Sequence, residues 1–94
     1  MKWLEFIRVQ VGGNPQETIA SKILSFTKEL KYKPGLTAAE VYVHALVNGD
    51  FAISLLWDTD QPQPMGSLIG LNIKDALRKY GLVDHSAWIK KQGS

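Results

Sequence analysis

Apolar residues change their spacing along this chain in a fixed order, and that order limits the folds open to it. Residues 2–11 alternate loosely and are rich in Ile, Val, Phe and Trp, which reads as a strand. Gly12-Gly13 breaks the run. Asn14-Pro15-Gln16-Glu17 then opens a helix: Asn14 can cap, Pro15 suits the first helical position and Glu17 completes a capping box. Ile19, Ile23, Phe26 and Leu30 follow at helical spacing, and Pro34-Gly35 ends the helix. Residues 38–47 alternate again, and Asn48-Gly49 is a strong hairpin signal before a returning strand over 50–58. Thr59 to Pro64 is a loop with two prolines, and Thr59–Met65 is expected to be mobile and to gate a cavity. Residues 67–80 form a second helix with Ile69, Ile73, Leu77 and Tyr80 inward, and Gly81 stops it. Residues 82–91 form a last strand. Gln92-Gly93-Ser94 is a polar tail expected to fray.

The order β-α-β-β-α-β is the ferredoxin-like α+β pattern, with a four-stranded antiparallel sheet and two helices on one face. The chain has 94 residues. That length allows a single domain over 1–94 and one small core. There is no cysteine, so disulfides, thiolate metal sites and cysteine nucleophiles are excluded together and packing must hold the domain. Residues 1–5 place Glu5 where a secretory leader needs an apolar run. No stretch approaches a membrane span, and a cytoplasmic protein with no membrane partner is expected. The formal net charge is only +2, which argues against nucleic acid. Lys28, Lys31 and Lys33 late in the first helix, and Lys74, Arg78 and Lys79 late in the second, suit helix C-termini.

A two-residue Asn48-Gly49 turn would pair Leu46 with Phe51, His44 with Ile53, Tyr42 with Leu55 and Glu40 with Trp57. Opposed residues share a face. One face would then carry Glu40, Tyr42, His44, Leu46, Phe51, Ile53, Leu55 and Trp57, and the other Val41, Val43, Ala45, Ala52, Ser54 and Leu56. The second set is small and suits packing under helices. The first is large and aromatic, and in a monomer it would lie open to water. Such patches mark interfaces or ligand sites, so a twofold homodimer through this face is expected.

The chain resembles the dimeric α/β barrel superfamily, and within it the antibiotic biosynthesis monooxygenases. The resemblance spans nearly the whole chain in element order. Its local carriers are residues 51–58, Phe-Ala-Ile-Ser-Leu-Leu-Trp-Asp, and the turn Gly81-Leu82-Val83-Asp84-His85-Ser86. It implies a barrel shared by two subunits, with a cavity for a small aromatic or polyketide-type ligand. The chemistry it implies is cofactor-independent oxygenation, with no metal. Where the family's polyketide oxygenases carry an Asn, this chain carries Ile53. Haem-degrading members would want an Asn on the first strand and a His on the second helix, and neither is present. Only Trp57 carries over.

Within that cavity His44, Tyr42 and Trp57 are the candidate catalytic residues, with His44 as a base acting on an activated phenol. Glu40, Phe51, Ile53, Leu55 and Arg8 are the candidate ligand contacts. Each has a plainer reading: interface packing for the cluster, a structural ion pair for Arg8 and a satisfied structural histidine for His85. A non-catalytic ligand-binding or interaction dimer is the alternative. Trp3 and Trp88 are expected to seal a core or an interface. Ser67 and Ser86 lack a nucleophile elbow or a paired base, so hydrolysis has little support. Acylphosphatase chemistry would need an Arg over residues 11–16, where there is none. RNA-recognition stacking would need paired aromatics mid-strand, whereas Phe51 and Trp57 lie at opposite ends.

Overall fold

The computed structural model describes residues 1–12, 16–30 and 33–91. Strand β1 (Lys2–Val11) leads to helix α1 (Gln16–Glu29). The hairpin strands β2 (Leu36–Val43) and β3 (Asp50–Asp58) follow, then helix α2 (Leu68–Leu77) and strand β4 (Gly81–Ile89). The sheet order is β2-β3-β1-β4, and every neighbouring pair is antiparallel. This is the ferredoxin-like α+β architecture read from the sequence. Asn14 and Pro15, the expected cap of α1, and residues 92–94, the expected frayed tail, lie outside the described residues. Among the described residues no helix is long and apolar enough to cross a membrane.

Alternation decides which residues enter the core. In β1 the odd positions Trp3, Glu5, Ile7, Val9 and Val11 are buried, and in β3 so are Phe51, Ile53, Leu55 and Trp57. Pairing places Trp3 opposite Trp57, Ile7 opposite Ile53 and Val9 opposite Phe51. Ile19, Ile23 and Leu30 from the α1 segment, with Ile73 and Leu77 of α2, close over this face. Trp3 and Trp57 stack with centroids 5.8 Å apart.

The hairpin departs from its expected register. Phe51 faces Val43, Ile53 faces Val41, Leu55 faces Ala39 and Trp57 faces Leu36. Against the expected pairs the shift is three residues at Phe51, Ile53 and Leu55 and four at Trp57, where the irregularity at Thr37 adds one. An odd shift moves a strand's side chains to the other face. The shift parts Glu40 and Tyr42, which point to the open face opposite Ser54 and Ala52, from Phe51, Ile53, Leu55 and Trp57; these four, expected on the open face, pack under the helices instead, because they are the large apolar set that the α1 and α2 residues cover. The cause is a wider connection. Strand β2 stops at Val43, and the His44 amide donates to the Asp50 carbonyl at 2.9 Å. His44 Nδ1 accepts from the Leu46 and Val47 amides, each at 3.0 Å. Asn48-Gly49 forms only the last two residues of this connection, directly before β3, with Gly49 at φ 91. Thr37 adds an irregularity between Leu36 and Ala38, and its hydroxyl donates to the Leu56 carbonyl at 3.0 Å.

Candidate functional site

Glu5 is the exception in an otherwise apolar layer. Its side chain is 0% exposed between Trp3 and Ile7. A buried carboxylate is tolerated only when its oxygens are hydrogen-bonded. Here they are. Trp57 Nε1–H donates to Oε1 at 2.9 Å, and the Ser67 hydroxyl donates to the same oxygen at 2.6 Å. The Ser67 backbone N–H donates to Oε2 at 3.0 Å. His85 Nε2 lies 2.6 Å from Oε2, and its side chain is 4% exposed although β4 is an edge strand. Four groups, from β3, β4 and the residue that caps α2, thus converge on one carboxylate of β1. No buried side-chain polar atom among the described residues lacks a partner.

Local sequence builds this centre. Ser67 is the N-cap of α2, with extended backbone, and its hydroxyl accepts from the Gly70 N–H at 2.9 Å. That hydroxyl therefore gives its own hydrogen to Glu5. The carboxylate sits at the N-terminus of α2, where the helix dipole favours negative charge. Two glycines let the helix come this close. A Cβ at Gly70 would overlap the Glu5 carboxylate, and one at Gly66, which holds φ +99, would overlap the His85 ring.

The arrangement limits the chemistry. Ser67 and His85 both bond to Glu5 and not to each other, so the serine is not activated by an adjacent base and no hydrolytic triad is formed. Among the described residues no group of three or more His, Cys, Asp and Glu gathers as a metal site. What remains is a carboxylate–imidazole pair bonded to Trp57, which stacks on Trp3, a unit suited to holding and moving one proton.

The residues singled out from sequence fall in two places. Trp57, Ile53 and Leu55 belong to the core side, and Trp57 is part of the Glu5 centre. Tyr42, Glu40 and Arg8 lie on the open face. Tyr42 OH donates to Glu40 Oε2 at 3.1 Å, and Arg8 Nη2 donates to Asp84 Oδ2 at 3.2 Å. A recess of about 230 Å³ is lined by Arg8, Tyr42, His44 and Phe51, and a second of about 340 Å³ by Leu4, Phe6, Glu40, Tyr42 and Leu56. The expected trio is therefore split: Tyr42 and His44 share a recess, and Trp57 faces away from it. The odd register shift is the reason.

Sequence reasoning missed Glu5, Ser67 and, as a member of a cluster, His85. A signal for two of them was present. Glu5 is in phase with Trp3, Ile7 and Val9, and His85 with Val83 and Ala87. A titratable residue in phase with a buried stripe marks a candidate site. Nothing local marks Ser67, whose partner is 62 residues away.

No protein-family model matches the sequence, and no curated protein matches it. Solved structures do align over almost the whole chain. Rv0793 from Mycobacterium tuberculosis superposes with a TM-score of 0.73 at 12% identity, covering 100% of both chains. A mutant of SnoaB, a cofactor-independent oxygenase from Streptomyces nogalater, gives 0.63 at 17% identity over 97% of this chain and 94% of that one. A Deinococcus radiodurans protein, provisionally named an antibiotic biosynthesis monooxygenase, gives 0.72 at 13% identity over 98% and 95%. The expected likeness to that group is thus shown at the level of fold.

Proposed function

We propose that this chain is one subunit of a homodimeric, oxygenase-like protein that takes a small aromatic or polyketide-type ligand and moves its proton at Glu5 and His85. The observation that carries this reading is the 2.6 Å contact between His85 Nε2 and Glu5 Oε2 inside an apolar layer. The shared fold with a protein named as a cofactor-independent oxygenase supports it. In this reading Glu5 orients the imidazole and balances its charge. The imidazole removes the proton of a phenol seated against Trp57. The electron-rich anion reacts with dioxygen, and a phenol plus one O₂ ends as a quinone plus one water. The loop Thr59–Met65, held at its start where Trp3 Nε1–H donates to Thr59 Oγ1 at 2.8 Å, is the gate in this reading.

The open face supports the dimer. It carries Leu4, Phe6, Tyr42, Leu56, Leu82 and Trp88, with Leu82 76% and Trp88 61% exposed. An apolar face of this kind is commonly covered by a second copy. Sedimentation equilibrium is expected to give twice 10.5 kDa; a monomer at micromolar concentration contradicts the shared barrel.

Oxygen uptake with anthrone tests the chemistry. The protein is expected to raise uptake above buffer, and Glu5→Gln and His85→Gln to lower that excess by roughly 100-fold, the usual weight of a general base. Circular dichroism checks that both variants remain folded. Saturable binding with no excess uptake would favour the non-catalytic ligand-binding dimer. That reading has its own support, because the donors on Glu5 are all supplied by the chain itself.

A further inference from the structure

The two oxygens of a carboxylate offer about four lone-pair positions. At Glu5 three of them are taken by groups that have only a hydrogen to give. The Trp57 indole N–H and the Ser67 amide are donors and nothing else. The Ser67 hydroxyl already accepts from the Gly70 N–H at 2.9 Å, so its own hydrogen goes to Glu5 Oε1 at 2.6 Å. The fourth position, on Oε2, faces His85 Nε2 at 2.6 Å.

That last contact can be built in two ways. Either a carboxylate accepts from an Nε2–H imidazole, or a carboxylic acid donates to a bare Nε2 and the ring carries its hydrogen on Nδ1. Three converging donors, two of them at the N-terminus of α2, complement a carboxylate and not an acid. The ring nitrogen outside the bond then carries the free lone pair. Gly66 points the same way. It lies so close to His85 Cε1 and Nε2 that a Cβ there would overlap the ring, so backbone seals that edge. Glu5 itself has no lone pair left for a ligand.

We infer that His85 is fixed as the Nε2–H tautomer, that its Nδ1 is the atom at which this centre takes a proton, and that Ser67 is the positioning residue, acting through Glu5. The inference rests on the reading of Glu5 and His85 as the proton-moving pair and names the atom that does it. A phenol O–H bond breaks and its electron pair stays on oxygen. The proton goes to Nδ1, and Nε2–H remains bonded to Glu5, whose charge balances the imidazolium.

The test reads the histidine ring nitrogens of the ligand-free protein in long-range ¹H–¹⁵N spectra just above neutral pH. The chain has two histidines, and His85→Gln removes one set of signals and so assigns it. His44 is an internal reference, because its Nδ1 accepts two backbone amides and is therefore bare. His85 Nδ1 is expected at the position of a bare nitrogen, close to that of His44, and His85 Nε2 at the position of a protonated one. Ser67→Ala takes one donor from Oε1, so the pair holds a further proton more firmly. Its Nδ1 signal is expected to move toward the protonated position at the same pH, and Ser67→Thr, which keeps the hydroxyl, to restore it. A protonated Nδ1 in the unaltered protein, or two ring nitrogens averaged between tautomers, would overturn the assignment. An unmoved Nδ1 in folded Ser67→Ala would overturn the role of Ser67 and leave it a helix cap. The spectra need no ligand, which parts this inference from the oxygenase reading. A bare Nδ1 without excess oxygen uptake contradicts that reading alone, and excess uptake with a protonated Nδ1 contradicts this inference alone.

Discussion

Glu5→Ala is expected to cost about 3–5 kcal/mol, the usual loss when one partner of a buried charged network is removed. The substitution leaves Trp57 Nε1–H, the Ser67 hydroxyl, the Ser67 amide and His85 Nε2 facing a void. Each buried donor left without an acceptor loses about 1–3 kcal/mol. Domains of this size carry about 5–15 kcal/mol in total, so the variant is expected to sit near its folding threshold. Its Tm should fall by roughly 15–30 °C. Glu5→Gln keeps one acceptor oxygen for Trp57 and the Ser67 hydroxyl but turns an amide NH₂ toward the Ser67 N–H. It is expected to lose about 1–3 kcal/mol. Urea unfolding of both variants is the check. A loss below about 1 kcal/mol for Glu5→Ala would mean that the donors find water without difficulty and that the centre is not closed.

The second large effect reverses an ordinary rule. Gly→Ala inside a helix normally stabilises by about 1 kcal/mol. Gly70 lies in α2, yet Gly70→Ala is expected to destabilise by about 1–3 kcal/mol, the usual range for overpacking. The new methyl meets the Glu5 carboxylate, which its partners hold in place. Either the helix lifts from the sheet or Glu5 gives up its bonds. The sign should change again when Glu5 is absent. In a Glu5→Ala background the same methyl enters vacated space and removes only the helical cost of glycine, so Gly70→Ala becomes neutral or favourable. A double-mutant cycle reads this as a coupling of up to about 3 kcal/mol. Additive losses would show that Gly70 and Glu5 do not contend for one space.

Much of the fold is legible from periodicity alone, because strands and helices bury different repeats. Lys2–Val11 is legible as a strand, though its loose alternation leaves its inner face unassigned, and the structure puts Ile7 and Val9 inside; Ile19 and Ile23 mark the inner side of α1. The hairpin is legible as a hairpin but not in register. A two-residue turn is the local preference of Asn48-Gly49, but His44 Nδ1 accepts two backbone amides and stabilises a wider loop. No rule about turn residues contains that interaction, and its consequence is large, because the slip parts Glu40 and Tyr42 from Phe51, Ile53 and Leu55, the residues expected to share their face. The site is legible only in part. Counting outward from Ile7 puts Glu5 on the buried face, and counting from Val83 does the same for His85. That the two meet depends on β1 and β4 being neighbours, with Ile7 opposite His85. Ser67 and the two glycines depend on where α2 docks, which is a tertiary fact.

The measurement that tests the central claim most directly is a side-chain ¹H–¹⁵N spectrum titrated with 1-naphthol. The chain has three tryptophans, and two of them report on the two candidate places. Trp57 Nε1–H is bonded to Glu5 in the buried centre, and Trp88 Nε1–H is bonded to Ser86 on the open face. With assignments from Trp88→Phe, the Trp57 indole is expected to shift saturably while the Trp88 indole stays in place. Movement of Trp88 with Trp57 unchanged would put the ligand on the open sheet face near Trp88 and Leu4, and would contradict a functional centre at Glu5 and His85.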